Sequence, residues 1–491
     1  MLRSIGLFIA LFLLPLIADA VEVRPEINGT MDTACLTDSD ETACAFGTAA
    51  AVPSNIYNSL VSTARSTSYI TIQDLTLADS AGMGLRPGGD SDHTQILNLE
   101  IGPVGSNAID VQPGSRQTYI ANNTAHHANT CTYKLRNNPD TSLPAPCRGS
   151  WGSIIELGGT AGGDAYTIAE NNDAYLAYGE GISVNGANYT WMVGNRVRGT
   201  RQTAMFVDNG ANHLMESNIT WDYDTTAVMG AVVGNAWWDD PDRGAAGVQE
   251  YNNVSFSHTI EPRSFCGGAT CDSSNNIVRN NIVAGSSLTS TGVHANNKTS
   301  IGSPPNPNVN NTQPLGVAYW GNTILGNMDL DGGVDQDPQK GSLEIENNIV
   351  QGTSSGANCE ALSATNYSPH AMAEQLWRVS PTDTHCDGSG DEYGEAALAT
   401  DVDLFGESAW TEASGPTLSD VILDDAAAGD DTGADLNGAA VSWLVAAEWD
   451  YFSSVSYPHS PNATNWAYKL YYDFDGTARS NTPNKGVDET N

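Results

Sequence analysis

Four short segments of this 491-residue chain share an alternating apolar and polar pattern: Ile109-Asp110-Val111-Gln112, Ile155-Glu156-Leu157-Gly158, Ile182-Ser183-Val184-Asn185 and Met205-Phe206-Val207-Asp208. In extended backbone successive side chains point to opposite faces, so the aliphatics share one face. Asp110, Glu156, Ser183 and Phe206 then share the other, with Gln112, Asn185 and Asp208 beside them. A later segment, Gly292-Val293-His294-Ala295, adds His294 to the same row. Carboxyl groups gathered on one surface serve as acid and base or as ligands of a hard cation. Glu156, Glu180 and Asp208 are the candidates for an opposed carboxyl pair, and Asp110 and Glu156 for holding Ca²⁺. Arg201 and His294 are candidates near the base. The competing reading is that exposed strand positions are polar on any sheet facing water.

The arginines and tryptophans offer binding contacts. Arg196, Arg198 and Arg201 form the densest basic cluster of the chain. Arg196 and Arg198 flank Val197 and project outward, while Arg201 lies in the turn leading to residues 203–208. Guanidinium groups grip carboxylates bidentately, so the cluster either recognises an anionic ligand or pairs with neighbouring Asp and Glu. The segment 235–246, NAWWDDPDRGAA, sets Trp237 and Trp238 beside acidic residues and Arg243, and is expected to be a turn flanking the row. Indole faces suit stacking on sugar rings. Gln112, Asn185, Arg198, Phe206, Trp237, Trp238 and Arg243 are therefore the expected ligand contacts.

Composition narrows the partners. The chain holds 20 basic and 58 acidic residues, a formal charge of −38. Such a surface repels nucleic acid and anionic membrane, whose binding requires clustered Lys and Arg. Met1-Leu2-Arg3, an apolar run from Ile5 to Ile17 and the ending Ala18-Asp19-Ala20 predict a signal peptide over 1–20. No later run approaches the ~20 apolar residues of a membrane span, so a secreted or periplasmic soluble monomer is expected. The eight cysteines fall in order into Cys35/Cys44, Cys131/Cys147, Cys266/Cys271 and Cys359/Cys386, an even count that suits disulfides in an oxidising compartment.

The elements that must position these residues follow from a repeat. Residues 166–188 and 189–212 both begin Tyr-Thr and both end Asn-Gly-Ala-Asn, a unit of about 23 residues. The beat extends through Asp74, Asn98 and Asn122, then Asn172, Asn195 and Asn218, then Asn253, Asn281, Asn322 and Asn348, predicting about ten coils. Each coil carries a strand before the Asn, one after it, and one after a small residue, as in Gly181-Ile182-Ser183-Val184. One such unit cannot bury its apolar face alone, so the units must stack. An Asn at the same turn of each coil can bond to the coils above and below. The predicted fold is all-β: a parallel solenoid over 61–360, an N-terminal cap over 21–60, an acidic loop-rich segment over 361–440, and a segment over 441–491 packing on the last coils.

The strand-Asn-strand-turn-Gly-Ile-x-Val repeat resembles the right-handed parallel β-helix superfamily of pectate lyases, polygalacturonases and related secreted carbohydrate-active proteins. The tail over 472–488, YDFDGTARSNTPNKGVD, is similar to the closing segment of many secreted bacterial β-helix proteins. The resemblance implies a polysaccharide in a groove along the third strand of each coil. Two reactions would fit: β-elimination on a uronate polymer, the first expectation, and hydrolysis by paired carboxylates. The latter are about 5–5.5 Å apart in retaining and ~6.5–9.5 Å in inverting enzymes. A non-catalytic glycan-binding or structural rod is the third expectation. The polygalacturonase signatures N-T-D, G-H-G and R-I-K are absent, as is the D-P-H-D site of mannuronan epimerases. MDLDGGVDQD at 328–337 and YDFDGT at 472–477 look like Asp-rich calcium turns but lack the spacing of an EF-hand.

Overall fold

The computed structural model describes residues 26–28, 59–80, 82–129, 152–158, 163–177, 179–200, 203–208 and 210–221, and past Trp221 a series of strands with Asn corners ending at Glu392–Tyr393. Each coil makes three short strands, as in Met83–Arg86, Gln95–Leu97 and Glu100–Ile101. Equivalent strands of successive coils pair in parallel. They build a first sheet of 11 strands from Ser59–Ser62 to Cys359–Glu360, a second of 11 from Thr71–Gln73 to His370–Ala373, and a third of 13 from Glu26–Asn28 to Glu392–Tyr393. The architecture is a right-handed parallel β-helix with no helical segment among the described residues.

About five turns are interpretable end to end, fewer than the ten or so expected, because past Trp221 the insertions between strands lie outside the described residues. Strands also continue past residue 360. His370–Ala373 joins the second sheet, and Leu376–Trp377 and Glu392–Tyr393 join the third. At the other end Glu26–Asn28 pairs with Thr76–Ala78, extending the third sheet. The signal peptide, seven of the eight cysteines, the tail from 441 onward and most of both acidic turns lie outside the described residues; Cys359 is described only as part of a strand. Among the described residues no helix is long and apolar enough to cross a membrane.

The Asn corner between the second and third sheets locks the coils together. Asn123, Asn172, Asn195, Asn218, Asn253, Asn281, Asn322 and Asn348 are almost wholly buried. Asn195 shows the pattern: its Nδ2 donates to Asn218 Oδ1 at 3.0 Å and to the Ala169 carbonyl at 2.9 Å, and its Oδ1 accepts from Asn172 Nδ2 and from the Asn172 backbone N–H, each at 3.0 Å. Backbone donors that a corner would leave unpaired are thereby satisfied. The expected members Asp74, Asn98 and Asn122 are not in this ladder. With Asn171 they occupy the preceding left-handed position, φ 52–56°, which short polar side chains tolerate best. The ladder slot in those coils belongs to Leu75, Leu99 and Asn123, so the amide chain starts at Asn123, whose Oδ1 accepts the Leu99 backbone N–H at 2.9 Å.

The interior is filled by aliphatics repeating coil after coil, among them Ile109, Ile155, Ile182 and Met205 in one register row. A second apolar cluster, Tyr119, Tyr166, Ile168, Trp191 and Leu214, is separate from this core and belongs to the second sheet and its entry turn. Parallel sheets are ordinarily buried on both faces; the strand Tyr119–Ala121 is buried on both, whereas Thr71 and Gln73 of the leading strand are exposed.

Candidate active site

The first sheet carries the acidic row. Register pairs Asp110 with Glu156, Glu156 with Ser183, Ser183 with Phe206, and Asn185 with Asp208. Each coil advances the row by ~4.8 Å. Glu180 pairs with Ser153, three residues before Glu156 on the neighbouring strand, and enters the same surface because of a glycine. A Cβ on Gly181 would collide with the Ala204 carbonyl and Val197 Cγ1, so only glycine lets the chain pass close enough to set Glu180 outward.

The carboxyls interact with one another through their neighbours. Asn107 Nδ2 donates to Glu156 Oε2 at 2.6 Å, and Asn185 also bonds this carboxyl. Burial, then the adjacent Asp110, pushes Glu156 up to about 7 against the pull of Asn107, Arg86 and Asn185. Ser153 Oγ lies 3.2 Å from Glu180 Oε2 and also touches Ser183 Oγ. Burial pushes Glu180 up to about 8, with further upward pressure from Glu156 and Asp208 opposed by the two serines. At the upper end Arg86 Nε is 3.2 Å from Asp110 Oδ2, Arg86 Nη2 donates to Gln112 Oε1 at 2.5 Å, and Gln112 Nε2 donates to Asp110 Oδ2 at 2.7 Å. Burial raises the Asp110 carboxyl too, against Arg86 and Gln112.

Of the residues singled out in the sequence, the structure brings together Asp110, Gln112, Glu156, Glu180, Asn185, Phe206 and Asp208. Asn185 and Gln112 hold carboxyls of the site itself. Arg198 is elsewhere. It lies on Arg196–Thr200 of the third sheet, pairs with Asp173 and stands 4.1 Å from the Tyr175 ring centroid. The outer face of the third sheet is a different side of the solenoid from the one that carries the acidic row. His294 shares the row, yet register carries it five coils past Glu156, roughly 24 Å away. Trp237 and Trp238 are not in a turn: they end the strand Val233–Trp238, where Trp238 is the register partner of Asp208. Arg201 and Arg243 lie outside the described residues.

Three contributors went unnoticed in the sequence. Arg86 was recoverable, since Leu85-Arg86 continues the pattern of Ile109-Asp110 one coil earlier. Asn107 precedes the strand Ile109–Asp110 and Ser153 opens the strand Ser153–Glu156, and neither position carries a periodic signal.

The pair assigned to Ca²⁺ does not fit that ion. Ca²⁺ takes six to eight oxygen ligands, whereas Asp110 is already held by Arg86 and Gln112. Among the described residues no group of three or more His, Cys, Asp or Glu is placed to hold a metal.

No protein-family model and no curated protein sequence matches the chain. Among solved structures it is similar to the crystal structure of pectate lyase Pel9A, with 14% identity and a TM-score of 0.38 over 88% of this chain and 86% of that one. A superposition this loose transfers no residue role. The fold stands on the strand register itself.

Proposed function

We propose that this chain is an exported polysaccharide-active enzyme that cleaves a glycosidic bond by acid–base chemistry at Glu156 and Glu180. One observation carries the reading: two glutamic acids from adjacent coils sit on one rigid surface, with titration raised to about 7 and about 8. Carboxyls tuned to the neutral range are what proton transfer to and from a glycosidic bond requires. A wall of short parallel strands holds them in fixed relation. Export rests on the leader expected over 1–20, and the chain is taken to act as a monomer.

Hydrolysis is favoured over elimination. Around Glu156 the described row offers carboxyls and a single cation, Arg86, which is committed to Asp110. An incoming uronate would meet like charge, whereas a neutral or amino-sugar polymer would not. Elimination on a uronate polymer is the second reading: among the described residues Arg86 is the guanidinium at the end of the row, and Asp110 is the partner from which a substrate carboxylate would take it. Incubation of the purified protein with neutral, amino-sugar and uronate glycans separates the two. New reducing ends without ultraviolet-absorbing product support hydrolysis, and unsaturated product supports elimination. Silence on both readouts across the panel sinks the enzymatic reading and leaves a binding or structural rod.

A further inference from the structure

The partners of the two glutamates differ in a way that assigns their roles. Asn107 Oδ1 accepts the Ser153 backbone N–H at 3.1 Å. A backbone N–H can only donate, so the orientation of the Asn107 amide is fixed and its Nδ2 must face Glu156. That group in turn can only donate, so Glu156 Oε2 is required to accept at 2.6 Å. Glu180 meets a hydroxyl instead. Ser153 Oγ, 3.2 Å away, can donate to a carboxylate or accept from a carboxylic acid, and its contact with Ser183 lets the two hydroxyls turn together.

Resting on the hydrolytic reading above, we infer that Glu156 is the base and Glu180 the acid: an amide clamp favours the ionised form of the first, and a hydroxyl pair tolerates the proton on the second. In the step that follows, Glu180 gives its proton to the glycosidic oxygen as the bond from that oxygen to the anomeric carbon breaks. Glu156 takes a proton from a water whose oxygen bonds to the same carbon. One water is consumed and two hydroxyl ends appear. Solvent then returns a proton to Glu180 and accepts one from Glu156. Asn107 is a positioning residue, acting only through Glu156.

The test uses the full-length chain with Glu156→Gln, Glu180→Gln and Asn107→Ala, assayed on the cleaved glycan and on an aryl glycoside whose leaving group needs no proton. Glu180→Gln should lose about 10²–10⁴-fold on the glycan, far less on the aryl glycoside, and lose the alkaline limb of the pH profile. Glu156→Gln should lose similarly on both substrates, lose the acidic limb, and regain turnover with azide. Asn107→Ala should shift the acidic limb upward and leave the alkaline limb in place. The opposite pattern, with aryl rescue at Glu156 and azide rescue at Glu180, overturns the assignment, as does a uniform loss in Asn107→Ala with unmoved limbs. If the wild-type chain cleaves nothing, the hydrolytic reading fails by itself. Infrared spectra of the wild type and the two variants at one neutral pH still decide the protonation assignment. Glu180→Gln should remove a protonated-carboxyl band and Glu156→Gln a carboxylate band; the reverse refutes it.

Discussion

Replacing Glu216 by Gln should make the solenoid more stable at alkaline pH and nearly unchanged at acid pH. Glu216 belongs to the second sheet, away from the proposed site, is almost wholly buried, and accepts the Trp191 Nε1–H at 3.1 Å. Burial pushes its carboxyl from 4.5 to about 8, with Glu170 adding upward pressure and Trp191 opposing it. A carboxyl raised on folding binds protons more tightly folded than unfolded. Its contribution is therefore fully retained below pH ~4.5 and is lost as pH rises through ~8. At about 1.4 kcal/mol per unit, a rise of about 3.5 units sets a ceiling on the order of 5 kcal/mol, and relaxation around the ion should leave about 2–3. Gln keeps an oxygen for Trp191 and cannot ionise. Because a solenoid opens coil by coil, the assay is native-state hydrogen exchange of the strands His213–Glu216 and Ile219–Trp221, corrected for intrinsic rates. Protection in the wild type should fall from pH 5 to pH 9 by about 2–3 kcal/mol more than in Glu216→Gln. Parallel pH slopes in the two proteins would refute the argument that this buried acid titrates near neutrality.

Four other substitutions test the remaining structure. Asn195→Leu fits sterically, since Leu99 fills the same slot, but it strands the buried amide of Asn172; a loss of about 2–4 kcal/mol in local opening energy is expected, whereas Leu99→Val should cost ~1. Gly181→Ala should push the strand Glu180–Asn185 off Ala204 and Val197, abolishing cleavage and lowering the thermal midpoint by several degrees; an active, equally stable variant would contradict the close packing. Arg86→Gln removes a charge that lowers both Asp110 and Glu156, so the acidic limb of the pH profile should move upward, and an unmoved limb would exclude coupling along the row.

The solenoid was legible because its physics is periodic. The alternation around Ile182-Ser183-Val184 dictates which side chains face in, and the Tyr-Thr to Asn-Gly-Ala-Asn repeat sets the coil length. Stacking then had to place Glu156 beside Asp110 whatever the loops did. Asn98 and Asn122 were misplaced because a left-handed corner and an amide ladder both select Asn at adjacent positions, and spacing alone does not separate them. Arg198 was misjudged because alternation gives inside or outside but not which of three outer faces. Asn107, in the corner before the first sheet, and Ser153, at the opening of its strand, lie where the alternation begins and no period marks them. Trp238 looked like a loop residue by composition, yet register made it an extension of the wall beside Asp208.

The late start of the Asn ladder makes the rod directional. From Asn123 onward each junction is cross-tied by the amide ladder, whereas the earlier corner sets apolar Leu75 and Leu99 in that slot and joins its coils by a bond from Asn98 Nδ2 to Asp74 Oδ1 at 2.6 Å, one position earlier. The leading coils thus meet at this corner through one side-chain bond, and those behind them through a continuous chain of amides. The carboxyl row straddles this boundary, with Arg86 and Asp110 before the ladder begins and Glu156 and Glu180 after it.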